Sequence, residues 1–315
     1  MGRRNSLKSR FRDRHIAKCI SSLVLAASFL FIPIPDLSVS FAHENRAEAH
    51  AQSDHAPFDG HYVIHLSENA RSRSAGRREP GYFDSLVIEL FDKAGLQARL
   101  VDQMPWKRQL EEADHESGHV IYPMTRSQDR ENSFKWVGPV SRTIWNLYGF
   151  AMHGWAERGF SNILEDARIG VLMGSARETY LRARGAQRLV IVPREELLLP
   201  MMRADRVDLI AIGGNVLRYY IDQANDEARG EDLPEIDGVV PYRSCYLYIA
   251  ISGDVPDDDI SGLQRQLDLF KTDGFFVENR RSHGLSANPE NGFIRAMLDL
   301  GNNGLRCIDL SGLDE

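Results

Sequence analysis

The sequence predicts an α/β fold in which parallel strands are covered by helices. From residue 61 to about residue 270, short β-like apolar runs alternate with segments whose apolar residues recur at helical spacing. With 315 residues, 43% of them hydrophobic, the chain is long enough for one large domain or two of ordinary size. Three cysteines are too few for a disulfide-dense scaffold. The alternation is typical of parallel sheets packed against helices.

The first 42 residues are predicted to be a secretory signal peptide. They carry a net charge of +5, and an apolar run at residues 20–34 precedes the small-x-small sequence Ser40-Phe41-Ala42. The run of about 15 residues is short for a membrane span, so cleavage after Ala42 is favoured over an uncleaved anchor. We therefore expect a periplasmic protein that keeps Cys245 and Cys307. A disulfide between them and two unpaired thiols are both open.

The rest of the chain is acidic. The whole chain has a formal net charge of −7 and the leader one of +5, so the residues after the leader have a net charge of −12. A protein this acidic would repel a phosphate backbone, which excludes nucleic acid as a partner. Residues 43–57 are predicted to be a flexible arm because they have almost no large apolar side chains. The arm contains several histidines, but without fixed ligand spacing a solvated arm is favoured over a metal site. We expect no metal and no other cofactor.

The first α/β block is predicted at residues 58–143. Strands are expected at residues 62–67, 98–101 and 120–124, and helices at residues 82–94 and 106–113. The first helix shows a helical apolar period and is closed by Gly95. The second helix is entered through Pro105, whose fixed φ suits a helix start.

The second block is predicted at residues 144–246. Strands are expected at residues 169–173, 189–192 and 207–212, and helices at residues 176–183, 195–204 and 216–223. Gly185 ends the first of these helices, and Pro200 strains the second. A strand at residues 246–251 and a helix at residues 260–270 follow, and the runs 143–152 and 246–251 are candidates for strands that pass between the blocks.

Several motifs follow each other in an order that resembles a known family. They are Met104-Pro105-Trp106-Lys107-Arg108, residues 122–131, residues 134–139, residues 169–176, Arg206-Val207-Asp208, and residues 248–252 with 272–275. Together they resemble the family 3 extracellular solute-binding proteins, the periplasmic receptors of polar amino-acid ABC transporters, in the branch with a Pro-Trp-x-Arg motif. The resemblance covers about residues 60–285.

This resemblance implies the type II periplasmic binding protein fold, with two α/β lobes and two crossover hinge strands. The first lobe would be discontinuous, formed by residues 58–143 and by residues 247–301 with the C-terminal helices. Residues 144–246 would form the second lobe, and residues 302–315 a tail. The expected motion is closure of the lobes over a small solute.

Thr125 and Arg130 follow the end of a predicted strand, where open α/β sheets bind ligands. A guanidinium offers a fork of donors that suits a carboxylate, and a hydroxyl adds a further hydrogen bond. Residue chemistry alone favours the alternative in which Arg130 pairs with an acid near a helix start capped by Ser127. The resemblance favours Arg130 as the clamp for the α-carboxylate of the ligand.

Gly174 and Ser175 end a predicted strand and open a helix. Ser175 with Glu178 has the spacing of a capping box, which is a complete structural explanation. The same turn offers backbone N–H groups and the positive end of the helix dipole to an anion. The resemblance implies that this turn is the second lobe's half of the carboxylate site, and both interpretations can hold together.

Tyr82, Trp106 and Tyr122 are candidates for stacking on an apolar or cationic part of the ligand. Each is equally open to a role in the core or on the surface of a lobe. Trp106 is the preferred candidate because Pro105 fixes its entry into the helix.

The sequence departs from the resembling family at Gly213. Amino-acid receptors of that family have an aspartate five residues after the acid of the Arg-x-Asp motif, where it pairs with the α-ammonium of the ligand. A desolvated ammonium without a partner is costly, so a standard α-amino acid is put in doubt. Asn215 could offer a neutral amide instead.

The leading hypothesis is a monomeric, non-enzymatic receptor that captures a small polar, carboxylate-bearing ligand in an interlobe cleft for an ABC-type transporter permease. One alternative is a periplasmic accessory or sensor module of the same fold without a transport role. A less favoured alternative is a dehydratase-like enzyme on this scaffold, with His119, Asp129 and Glu131 as candidate acid or base groups.

Overall fold

The computed structural model describes residues 57–66, 73–74, 77–78, 80–102, 104–227, 235–284 and 307–311, all within the unit Ala51–Glu315. The predicted signal peptide and residues 43–56 of the predicted arm lie outside these ranges. Across the ranges described, no helix is both long and apolar enough to cross a bilayer.

Strands and helices alternate along most of the chain. The strands are β1 (Tyr62–His65), β2 (Arg73–Ser74), β3 (Arg77–Arg78), β4 (Ala98–Val101), β5 (His119–Thr125), β6 (Phe134–Phe150), β7 (Ile169–Leu172), β8 (Leu189–Val192), β9 (Leu209–Gly213), β10 (Ile236–Ser252) and β11 (Cys307–Asp309). The α-helices are α1 (Tyr82–Lys93), α2 (Trp106–His115), α3 (Phe160–Asp166), α4 (Ala176–Ala183), α5 (Leu198–Arg203), α6 (Gly214–Glu227), α7 (Asp257–Thr272) and α8 (Phe275–Ser282).

One mixed sheet runs through the molecule in the order β4-β1-β5-β10-β6-β9-β7-β8, with β11 paired to β10. Strands β1, β4 and β5 are parallel at one end, and β7, β8 and β9 are parallel at the other. Between them, β6 and β10 pair antiparallel from Phe134 opposite Ser252 to Phe150 opposite Ile236. These two long strands carry the chain from one end of the sheet to the other and back.

Separate hydrophobic cores define two lobes on this sheet. The core of lobe 1 joins Leu86 of α1 and Val120 of β5 to Leu263 of α7, so segments from both ends of the chain build it. In lobe 2, one core contains Trp145 and Ile169, and another contains residues of α5 and α6. Each fully buried leucine or isoleucine contributes about 1.5–3 kcal/mol. The predicted two-lobed α/β fold with a discontinuous first lobe is confirmed.

Local signals explain the helices that frame the cleft. In α1, buried residues recur at helical spacing, and the carboxylate of Asp84 accepts a hydrogen bond from the N–H of Gly81 at 3.1 Å. In α4, the Ser175 hydroxyl accepts a hydrogen bond from the N–H of Glu178 at 3.2 Å, the N-cap interaction expected from the sequence.

Three of the differences between the expected and the observed elements have a clear physical reason. The predicted strand at residues 246–251 is the last part of the longer β10, whose bulged pairing with β6 obscures the alternation. The predicted helix at residues 195–204 is a 3-10 turn followed by α5, in which Pro200 lies in the first turn and needs no N–H partner. Helix α3 was not predicted, because its seven residues are too few to show a clear period.

A disulfide joins Cys245 of β10 to Cys307 of β11. The two residues are direct partners in the antiparallel pairing of these strands, so the sheet register brings them together. The sequence left open whether these cysteines form a disulfide or remain two unpaired thiols, and the structure has the disulfide.

Candidate functional site

Two side chains of lobe 1 contact the same backbone carbonyl of lobe 2. Nη2 of Arg130 donates to the oxygen of Gly174 at 2.8 Å, and Nε1 of Trp106 donates to the same oxygen at 3.2 Å. The guanidinium of Arg130 lies 5.8 Å from the centroid of the Trp106 ring. Two predicted site residues of lobe 1 therefore lie together against a predicted site residue of lobe 2, and the cleft is closed at this point.

Each of these residues is placed by its local backbone. Trp106 is the first residue of α2, entered through Pro105 at φ −53°. Arg130 ends a 3-10 turn, Gln128–Arg130, just beyond β5. Gly174 has φ +70° in the turn between β7 and α4, a conformation that favours glycine.

Arg130 is a buried cation without an ion pair. The residue is only 9% exposed, and burial lowers the pKa of its guanidinium, opposed by the charge of Asp129. In the part of the chain that the structure describes, no carboxylate lies within ion-pairing distance of Arg130, and the carbonyl of Gly174 is its only hydrogen-bond acceptor. A guanidinium has five donor hydrogens, so most of this capacity is available to an anion.

The turn at the start of α4 is already occupied by a carboxylate of the protein. The N–H of Gly174 donates to Oε2 of Glu178 at 2.7 Å, and Oε1 of Glu178 accepts from Arg182 at 2.8 Å. Ser175 is buried and caps the helix. Ser175 therefore caps the helix as the spacing predicts, and the N–H of Gly174 is already engaged by the side chain of Glu178.

The other predicted site residues lie apart from this contact. Tyr122 is 2% exposed in the core of lobe 1, where its hydroxyl donates to Oδ1 of Asp84 at 3.1 Å. Tyr82 begins α1 and packs against His283 beyond α8. Thr125 is the last residue of β5 and is nearly buried. Asn215 is the second residue of α6, and its side chain is not described.

The three candidate acid or base groups do not assemble at the cleft. His119 begins β5, and the Arg130 contact lies beyond the other end of that strand. At about 3.3 Å per residue, the six steps of β5 separate them by about 20 Å. Glu131 is bonded to Arg126, and Asp129 is exposed in the turn before Arg130. This geometry gives the dehydratase alternative no acid–base pair beside Arg130.

One set of side chains in lobe 1 has the composition of a metal site. His65, His119 and Glu112 offer ligand atoms that all lie within 4.8 Å of one another. Nε2 of His65 and Nδ1 of His119 are 2.7 Å apart, and Nε2 of His119 lies 3.0 Å from Glu116. A divalent ion could be held here, but the same side chains also bond to one another, from His65 to His119 and from His119 to Glu116, while Nδ1 of His65 has no partner within the described residues.

The sequence did not reveal Arg177, which lies next to Gly213. A Cβ atom built on Gly213 would be 3.3 Å from Nη2 of Arg177. Gly213 itself was noticed as a departure from the resembling family, but the neighbouring guanidinium follows from the pairing of β7 with β9, which a single sequence does not show.

Comparison with known proteins identifies the fold. No protein-family model matches the chain, and no curated protein matches it. Among solved structures, a P235GK mutant of ArgBP from T. maritima aligns with a TM-score of 0.58 and 14% identity over 71% of this chain and 95% of that chain. The amino acid ABC transporter substrate-binding protein AbpA from Streptococcus pneumoniae, bound to L-arginine, aligns with a TM-score of 0.58 and 14% identity. The alignment covers 71% of this chain and 94% of that chain. A histidine kinase sensor domain similar to periplasmic binding proteins aligns with a TM-score of 0.56 and 12% identity, over 71% of this chain and 97% of that chain. At these identities the similarity shows the two-lobed periplasmic binding protein fold.

Proposed function

We propose that this protein is a solute receptor that captures a small carboxylate-bearing ligand between its lobes and delivers it to an ABC-type transporter permease. The observation that carries the proposal is the buried guanidinium of Arg130, which faces the opposite lobe without an ion pair among the described residues. A desolvated cation at the meeting point of two lobes is stabilised by an anion bound there.

The closed contact suggests how the ligand is held. When the lobes separate, Arg130 and Trp106 leave the carbonyl of Gly174, and a carboxylate can take its place as the acceptor. A carboxylate carries the opposite charge and can accept two parallel hydrogen bonds from a guanidinium, which a neutral carbonyl cannot, so the exchange favours the anion. The indole of Trp106 then covers one side of the guanidinium.

The ligand we propose lacks an α-ammonium group. Gly213 has no side chain, and the nearest group to its missing Cβ is a guanidinium rather than an acid. An ammonium group at this position would be desolvated beside a like charge. A carboxylate without an amine fits this environment better than a standard amino acid.

A thermal-shift screen tests this proposal. We expect small carboxylates to raise Tm, because a ligand at one hundred times its Kd stabilises the folded state by about 2.7 kcal/mol. The variant Arg130→Gln should stay folded and lose the shift, whereas Arg203→Gln, which removes an exposed arginine of lobe 2, should keep it. A folded protein that shows no shift with carboxylates or amino acids would contradict the proposal.

A sensor or accessory module remains a second candidate because of the closed contact itself. The carbonyl of Gly174 accepts a hydrogen bond from Arg130, and the N–H of Gly174 donates to Glu178, so groups of the protein itself join the lobes at this turn. A receptor of this kind would signal by opening or closing toward a membrane partner. Small-angle scattering with and without carboxylates separates the candidates, because the lobes of a transport receptor rearrange when the ligand displaces the Gly174 contact and those of a ligand-independent module do not.

We also propose a periplasmic location and a monomeric state. Support for the location comes from the leader composition and from the disulfide, which persists in oxidising compartments. Mass determination of the mature protein, together with size-exclusion chromatography, tests cleavage after Ala42 and the monomer at once.

A further inference from the structure

Four buried donor atoms in lobe 2 have no hydrogen-bond partner within the described residues. They are Nε1 of Trp145, the hydroxyl of Tyr242, and the Nε atoms of Arg177 and Arg243. Indole and guanidinium groups can only donate, and burial raises the pKa of Tyr242, so its phenol stays protonated and able to donate. Unpaired buried donors are rare and costly in folded proteins, so four in one lobe need an acceptor.

These donors surround one indole ring. The guanidinium carbons of Arg177 and Arg243 lie 5.7 Å and 5.6 Å from the centroid of Trp145, and the ring of Tyr242 lies 5.9 Å from it. In the sheet, Trp145 pairs with Arg243 on one side and with Gly213 on the other. Directly paired residues share a face of a sheet, so the donors belong to a single patch.

Arg177 is the member of the patch that lies nearest in the chain to the contact between the lobes, whereas Trp145 and Tyr242 belong to the core of lobe 2. Arg177 is in the first turn of α4, three residues after Gly174, whose carbonyl contacts Arg130. Gly213 is the last residue of β9, and a Cβ atom built on it would lie 3.3 Å from Nη2 of Arg177.

The charges around the patch leave one cation uncompensated. Arg177 pairs with the buried Glu195, with Nη1 to Oε1 at 3.3 Å. Asp309, opposite Arg243 in the strand pairing, accepts hydrogen bonds from the side chains of Tyr180, Arg184 and Ser311. Within the described structure, Arg243 has no ion pair. The patch thus combines a net positive charge with unpaired donors.

We propose that this patch is a second anion subsite and that the solute is a dianion, such as a linear dicarboxylate. Arg130 of lobe 1 holds one carboxylate, and Arg177, Arg243 and the donors around Trp145 hold the other. This inference rests on the proposed function and specifies its ligand class. Two anchors on opposite lobes also couple binding to closure, because only a ligand with an anion at each end bridges the cleft.

Isothermal titration calorimetry of the purified protein tests the inference with matched acids. Malonate, succinate, glutarate and adipate are compared with monocarboxylates of equal carbon number. We expect the best-fitting dicarboxylate to bind at least about tenfold more tightly than its monocarboxylate, as expected for one added charge-assisted contact.

Two variants remove the subsite in different ways. Arg177→Gln deletes a cation, and Gly213→Asp adds a carboxylate beside Arg177 without creating a cavity. Each should reduce the dicarboxylate preference, measured as the ratio of the two dissociation constants, to about one, and Arg203→Gln should leave this ratio unchanged. Thermal unfolding confirms that each variant is folded.

The outcomes distinguish the two proposals. Equal binding of monocarboxylates and dicarboxylates, or an equal loss of both in Gly213→Asp, would overturn the second subsite and leave the proposed function standing. Absence of carboxylate binding in the folded wild-type protein would overturn the proposed function and this inference with it.

Discussion

The disulfide provides a prediction whose size can be worked out from the structure. Cys245 and Cys307 close a loop with a sequence separation of 62 residues. In the chain-entropy model, a crosslink of this length restricts the unfolded chain and stabilises the folded state by about 4 kcal/mol. For a domain of this size, each kcal/mol shifts Tm by about 2–4 °C, so reduction should lower Tm by about 8–16 °C.

Differential scanning calorimetry with and without dithiothreitol measures this shift. The variant Cys307→Ser is the matched control, because Cys307 is only partly buried and Cys245 is in the core. It should unfold at the Tm of the reduced wild-type protein and should not respond to dithiothreitol. An unchanged wild-type Tm, with both thiols shown to be free by mass spectrometry, would refute the reasoning.

Two further predictions concern buried polar groups. Burial, with the nearby charges of His119 and Arg99, lowers the pKa of His65 from 6.5 to about 4, so the folded state favours the neutral ring. Stability is therefore fully present above about pH 6.5 and falls by about 3 kcal/mol as the pH drops to about 4. The variant His65→Gln should lack this decline when the free energy of unfolding is measured by denaturant titration at each pH. The same decline with pH in the wild-type protein and in the variant would contradict this prediction. Tyr122→Phe should cost about 1–2 kcal/mol because it removes the hydrogen bond to Asp84, yet carboxylate affinity should not change. A loss of affinity with unchanged stability would instead assign Tyr122 to the ligand.

Local chemistry explains which elements the sequence could predict. The strand β4 and the helix α4 have the predicted bounds, because a short β-branched or apolar run and a serine N-cap are encoded within a few residues. The strand β10 was predicted only in its last part, since its earlier residues contain a glycine, a proline and bulges that interrupt alternation. Its length depends on pairing with β6, which is a long-range interaction.

The candidate site was predictable to a similar degree. Arg130, Trp106 and Gly174 could be nominated because each lies at a strand end or helix start, and the structure brings them into contact. Tyr122 occupies a similar strand position but faces the core, which depends on the helix that covers that face of the sheet. The approach of Arg177 to Gly213 depends on the order of the strands, and no spacing in the sequence encodes it.

The most direct test of the central claim is a crystal structure of the protein with the carboxylate that gives the largest thermal shift. The measured quantity is the distance from the guanidinium nitrogens of Arg130 to the nearest ligand oxygen. We expect a charge-assisted hydrogen bond of roughly 2.7–2.9 Å, with the carbonyl of Gly174 displaced from Arg130. A bound carboxylate elsewhere, with Arg130 still donating to Gly174, would contradict it.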